Sequence, residues 1–324
     1  MQNILASQTG NISNGNTLTE PDVSNFSYST PLSAVTDHSS YAVADTLSIF
    51  DKRIALTVGG RAQEIKSTNF DTTTGAQTSN YDKSVVTPAV GLIVKPLQNV
   101  SLYANYIEGL QQGVTVPSIY ANAGQVLPPY ISKQVETGVK VDWGTFTTTA
   151  DVFQITQPAT FIDPVTNIFS SGGEQRNQGF EFKFFGVVTP GVRLLGGVAL
   201  IDGRLTKTSS PLTEGNRPYG VPDVQANLGA EWDTPFVRNL TLTGRVIYTA
   251  SQFVNQTNTQ SIPEWTRVDL GARYVWERPG AKPVTLRADV INVANSSYWA
   301  AYSFSTSLVQ SAPRTFLLSA TMDF

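Results

Sequence analysis

Apolar and polar residues alternate in long runs along this chain. Over the last dozen residues, Phe316, Leu318, Ala320, Met322 and Phe324 fall on one side of a period-two pattern. Thr315, Leu317, Ser319, Thr321 and Asp323 fall on the other. Strict alternation of this length predicts an extended strand with one apolar face. The strand stops on an aromatic, unlike the frayed, polar terminal strand usual in a soluble domain. An outward apolar face bounded by aromatics suits a strand in contact with lipid.

From residue 38 the same unit recurs: an alternating run, a tight turn, a second alternating run, then a polar loop. Strand pairs are predicted at 39–50 and 53–66, 84–95 and 99–108, 132–143 and 145–157, 175–187 and 191–204, 222–233 and 239–251, and 264–277 and 282–293. The final strand follows a loop at 294–312. Val135, Val139, Val141 and Trp143 oppose Gln134, Glu136, Lys140 and Asp142, and Phe180, Phe182 and Phe184 alternate with Glu181 and Lys183. Residues 1–37, rich in Asn, Ser, Thr, Gly and Pro without a period, read as a loop. Most of the thirteen strands run to about 11–14 residues. Globular strands average about five or six, whereas a tilted membrane-spanning strand needs about 9–11. The predicted connections alternate between a few residues and roughly 12 to 25, the asymmetry of short periplasmic turns and long extracellular loops.

The face opposite the apolar one carries Glu136, Lys140, Glu231, Arg245, Arg267, Asp269, Arg273, Arg287 and Asp289 at strand centres. An Arg or Lys facing lipid at the midplane would cost about 2–4 kcal/mol, so this face belongs to a wet or plugged lumen. Trp143, Trp232 and Trp276 sit beside short turns, where a periplasmic aromatic girdle belongs. The predicted fold is all-β, a transmembrane antiparallel β-barrel. A soluble sandwich, with the apolar faces buried against a second layer, is the alternative. A propeller would need shorter strands in a repeat of about 40–50 residues.

Composition sharpens this picture. Charged residues are 15% of 324, and mean hydropathy is -0.10 with no apolar run approaching the ~18 residues of a membrane helix. A barrel reconciles low charge with short apolar runs. With no cysteine there is no disulfide framework or thiolate site, and a net charge of -3 offers nucleic acid no footprint. His38 is the sole histidine and no motif frames it, so neither a Ser-His-Asp triad nor a His-based metal site is supported. Glu231 and Asp233 read as lumen lining rather than an acid–base pair. Met1-Gln-Asn-Ile-Leu-Ala opens no basic, then apolar, export leader, so a barrel reading makes this the back part of a longer chain.

Several stretches resemble the C-terminal barrel of TonB-dependent siderophore receptors. Thr87–Tyr106 is similar to that family's hairpin with "GLVYKP" and "SLYASY" runs, and Ser132–Lys140 to its "S-x-Q-x-E-x-G-x-K" strand. Asn177-Gln-Gly-Phe-Glu181, Gly215–Pro222, Leu286–Tyr298 and Ala312-Pro-Arg-Thr315 resemble further motifs in the family's order. Val293-Ala294 replaces the usual Leu-Phe, and Phe324 follows Asp rather than Arg. The resemblance covers about residues 40–324. It implies a partial barrel, 38–324, of about 13 of the family's 22 strands, with the plug domain and TonB-contacting segment outside this chain. Residues 1–37 would then be an extracellular loop or a remnant of the preceding strand. With thirteen strands the first and last run the same way, so simple antiparallel closure fails and an open, curved sheet or an ill-fitting closure is expected.

The resemblance also implies a function: import of a ferric siderophore across the Gram-negative outer membrane, with energy relayed from the TonB complex. Iron would enter only as the chelate, with no resident cofactor. Tyr120, Tyr130, Tyr219, Trp299 and Tyr302 are candidate stacking partners for the chelate, and Arg176 and Arg217 candidate contacts for its anionic groups. Phe316, Leu318, Ala320, Met322 and Phe324 would be the signal read by the barrel-assembly machinery. This part alone is expected not to transport. A passive porin and a non-transporting surface-binding barrel are the other readings.

Overall fold

The computed structural model describes residues 31–111, 113–116, 119–163, 165–301 and 308–322. In chain order the strands are β1 (Ala34–Ile49), β2 (Ile54–Phe70), β3 (Gln77–Leu97), β4 (Val100–Gln111), β5 (Tyr130–Asp142), β6 (Phe146–Ile162), β7 (Phe169–Thr189), β8 (Val192–Lys207), β9 (Val224–Asp233), β10 (Leu240–Thr249), β11 (Gln252–Phe253), β12 (Ser261–Ile262), β13 (Trp265–Arg278), β14 (Ala281–Ile291), β15 (Trp299–Ala301), β16 (Leu308–Gln310) and β17 (Thr315–Met322). Thirteen of them form one sheet in the order β1-β2-β3-β4-β5-β6-β7-β8-β9-β10-β13-β14-β17. Every neighbour in it is antiparallel. The pairs β11–β12 and β15–β16 are small hairpins within loops.

Register carries the two faces across the sheet. Val139, Ala150, Phe182, Val198 and Ala226 form one apolar row over five adjacent strands. Lys140, Thr149, Lys183, Gly197 and Asn227 form a polar row on the other face. No second layer of described residues covers the apolar face: Leu92 is 39%, Leu270 51% and Phe316 70% exposed. A soluble sandwich would have buried them, so the apolar rows meet lipid. Buried apolar residues such as Ile65, Tyr81, Leu127 and Leu205 lie toward the loop end.

Short turns are made by residues able to adopt left-handed backbone, Gly144, Gly191, Asn239 and Gly280 among them. The β1–β2 turn departs from that rule, with Phe50, Asp51 and Lys52 all at positive φ.

Two loops predicted to be long are six residues each, 71–76 and 163–168, because the strands on either side run further than alternation alone indicates. Both use the same device. Asp71 Oδ1 accepts the Thr73 and Thr74 N–H groups at 2.8 and 2.7 Å, and Asp163 Oδ1 accepts those of Val165 and Thr166 at 2.8 and 3.1 Å. The left-handed Gly75 and Asn167 each close an N–H bond to the aspartate's own carbonyl at 2.8 Å. These Asx turns reverse the chain at once, so the ladder continues. The N–H donors, Thr74 first and then Thr73, hold the Asp71 carboxyl below its ordinary value. A carboxyl lowered on folding stabilises above its unfolded pKa and loses that contribution as pH falls through the folded one. Hydrogen-exchange protection at Thr73 and Thr74 is therefore expected to hold from about pH 8 to about pH 5 and to collapse below about pH 4; protection unchanged at still lower pH would refute the role of the charge.

β1 begins at Ala34, so the loop expected over 1–37 is strand from 34 onward, and residues 1–30 lie outside the described set. Among the described residues β1 pairs with β2 alone and β17 with β14 alone. Among these residues the sheet is open, as expected where an odd number of strands rules out a simple antiparallel seam between first and last.

Candidate functional site

The polar face is an interlocked wall rather than a loose set of charges. Arg193 on β8 grips Asp233 through both terminal nitrogens, at 2.7 and 2.6 Å, and donates Nε–H to Glu231 at 3.0 Å. Arg273 donates to the same Glu231 oxygen at 3.2 Å, and Thr241 donates to Asp233 at 2.7 Å. Register sets this up, since Arg193 is opposite Glu231 and Thr241 opposite Asp233. Both carboxylates are thus held as acceptors by cations, which is a lining role. A concavity of about 770 Å³ on this side is lined by Phe185, Leu195, Arg245, Asp269, Arg287 and Asp289, among others.

In a second cluster the sequence reading puts Glu136, Glu181 and Lys183 on the polar face but misses Tyr103 and Asp151. The Tyr103 hydroxyl donates to Glu136 at 2.8 Å and to Asp151 at 3.3 Å, and Lys183 donates to Asp151 at 3.4 Å while also pairing with Glu181. The Asp151 side chain is fully buried, and its Oδ1 has no hydrogen-bond partner among the described residues. It can be so because Gly138 stands opposite: a Cβ there would lie 2.7 Å from that of Asp151 and 2.9 Å from the Tyr103 ring. The parity of Asp151 with Thr147 and Thr149 was the available signal.

At the loop end, two groups of loops knit together. Arg217 and Tyr219 lie in the β8–β9 loop, which is bonded to the β10–β13 loop through Arg217 N–H to Asn258 Oδ1 (2.8 Å), Asn216 to the Gln256 carbonyl (2.9 Å) and Gly220 N–H to the Phe253 carbonyl (2.9 Å). Arg217 also forms an ion pair with Asp223. A Cβ on Gly220 would lie 2.9 Å from Ala301, so the β15 hairpin bearing Trp299 packs against the same loop. Trp265 stacks on Tyr298 there, ring centroids 4.2 Å apart and 7° from parallel, a pair that the sequence reading missed. Asn292, 1% exposed, anchors this corner by donating to the Ser296 and Ala312 carbonyls.

Tyr120 belongs to the other group. It packs on Phe169 at 5.0 Å, where Asn122 exchanges hydrogen bonds with the Phe169 backbone. Tyr130 is buried at the start of β5, unlike an exposed docking aromatic. Arg176 shares its side of β7 with Phe180, Phe182 and Phe184, so it stands on the outward face. His38 lies exposed on β1 opposite Ile65. Tyr302 and Phe324 lie outside the described residues. Among the described residues no three His, Cys, Asp or Glu side chains group as a metal site.

Comparison with known proteins agrees with this architecture. The family profile described as "TonB dependent receptor-like, beta-barrel" matches residues 5–293. The ferrichrome receptor FcuA of Yersinia enterocolitica is 40% identical over 292 residues, 88% of this chain and 38% of that receptor. A ferrioxamine B receptor of Salmonella typhimurium is 29% identical over 255 residues, 77% of this chain and 35% of its own length. Among solved structures, the ferric preacinetobactin receptor BauA of Acinetobacter baumannii superposes with a TM-score of 0.74 at 40% identity, covering 93% of this chain and 45% of BauA. The chain thus spans less than half of each of these relatives. With thirteen long antiparallel strands, one lipid-facing surface and one charged lumen wall, it belongs to the TonB-dependent receptor-like β-barrel family of the outer membrane.

Proposed function

We propose that this chain forms the C-terminal part of a receptor that binds a ferric siderophore at its extracellular face and imports it with energy from the TonB complex. The observation that supports the reading is the loop cluster at one end of the sheet, where the β8–β9 loop with Tyr219 packs against the β15 hairpin with Trp299 beside the Trp265–Tyr298 stack. Arg217 is paired with Asp223 and lines a depression on the outward face beside Phe180 and Leu200. Aromatic rings there would offer large, rigid faces to a bulky chelate. Iron is cargo within the chelate. Tyr120 would contribute from the other loop group, and Tyr302, outside the described residues, remains a candidate by residue type. The TonB contact and the plug would come from sequence outside the span described, and the alternating residues of β17 would be read by the barrel-assembly machinery.

Uptake of labelled ferric siderophores by cells carrying the full receptor tests this. Import that needs an energised inner membrane is expected, and replacing both Tyr219 and Trp299 by alanine is expected to weaken chelate binding about ten-fold or more. Conductance through the purified receptor with no energy source, and no chelate bound, would instead favour a porin.

A further inference from the structure

The two ends of the sheet carry charge of opposite sign. The connections at the loop end are residues 71–76, 112–129, 163–168, 208–223, 250–264 and 292–314. They hold Asp71, Asp163, Glu214, Asp223 and Glu264 against Arg217 and Arg314, five carboxylates to two guanidiniums, a net charge of -3. The short turns, counted the same way, hold Asp51 against Lys52, Arg53 and Arg238, a net charge of +2. The longest stretch without secondary structure at the loop end, 112–129, carries no charge at all.

Neither guanidinium at the loop end is placed to receive an anion. Arg217 is already paired with Asp223. Arg314, one residue before β17, has the parity of the lipid-facing Phe316. Below the loops, Arg193 faces Glu231 and Asp233, Arg267 faces Asp269, and Lys183 faces Asp151 and Glu181, so these cations are engaged too. The donors left at the aromatic corner are uncharged. The indole N–H groups of Trp265 and Trp299 are shielded from solvent and have no hydrogen-bond partner among the described residues. A buried donor left unpaired is costly, and a neutral acceptor oxygen on a ligand would satisfy it without bringing negative charge to an acidic rim. The sign of that rim reaches an arriving ligand over about 8 Å at physiological salt and about 30 Å at ~0.01 M.

We infer that the ferric chelate taken by this receptor has zero or positive net charge, the loop carboxylates disfavouring anionic chelates. This deepens the siderophore reading and rests on it. The test measures binding to the full-length receptor of one linear ferric trihydroxamate whose pendant amine is left free, acetylated or succinylated. These are a cationic, a neutral and an anionic chelate of one core, and a strongly anionic ferric triscatecholate is measured beside them. The cationic form is expected to bind about ten-fold more tightly than the succinylated one at ~0.01 M salt, and about two-fold at ~0.15 M. Glu214→Lys/Glu264→Lys, which leaves three carboxylates to four cations and takes these loops from -3 to +1, is expected to erase that preference. Equal affinities at low salt, a triscatecholate bound more tightly than all three, or a preference untouched by the double substitution would overturn the inference and leave the siderophore reading standing. If no ferric chelate binds, both fall. Should the variant fail to fold, salt decides with wild-type protein: a preference that fades by ~0.5 M supports the inference, and one that persists there overturns it.

Discussion

Arginine in place of Phe182 is expected to cost about 2–4 kcal/mol of folding stability in a lipid bilayer. Phe182 stands in a row with Ala150, Val198 and Ala226, and its ring lies 6.0 Å from that of Phe184. Every neighbour on that face is apolar, so an introduced guanidinium has neither water nor a carboxylate within reach. Urea unfolding in phospholipid vesicles measures the loss, and the shift from unheated to heated gel mobility reports how much protein inserts. Stability within ~0.5 kcal/mol of wild type, the range usual for an unremarkable surface site, would mean that this face does not touch hydrocarbon.

The next residue gives the opposite experiment on the opposite face. Lys183→Met is expected to destabilise by about 2–4 kcal/mol, since removing one member of a buried pair strands the other. Asp151, fully buried, would keep only the Tyr103 hydroxyl, while Lys183 itself is half exposed, which places the loss below the range for a fully enclosed pair. Removing the carboxylate as well, in Asp151→Ala/Lys183→Met, is expected to restore much of the stability, because the unpaired charge has gone. Additive losses in the double variant would show that Asp151 is hydrated and Lys183 contributes only packing. Taken together, a cation is harmful at 182 and needed at 183, which is the two-faced strand expressed as energies.

That two-faced pattern is why so much of the fold was legible. Period two needs only the order of residues, and it found all thirteen strands of the sheet, the lipid-facing Phe180, Phe182 and Phe184, and the lumen-facing Arg267, Asp269 and Arg273. What it could not find was local chemistry that interrupts or extends a strand. Polar stretches beside Asp71 and Asp163 resemble loop by composition, and only side-chain acceptance of successive N–H groups turns them into tight reversals. Arg176 is the instructive error. Residue type suggested a chelate contact, although its parity with Phe180 already assigned it to the lipid side. The loop aromatics were guessed singly, but the Trp265–Tyr298 stack joins two separate loop ends and has no sequence period to betray it.

The open sheet restricts what can seal it. Both edge strands, β1 and β17, head toward the short-turn side, β1 entering the first such turn and β17 returning from the last long loop. Any segment that completes the ring with antiparallel seams must therefore offer two borders that both climb away from the periplasm. A second copy inserted the same way up offers borders that descend, so copies of this sheet cannot make a closed ring among themselves without parallel joints.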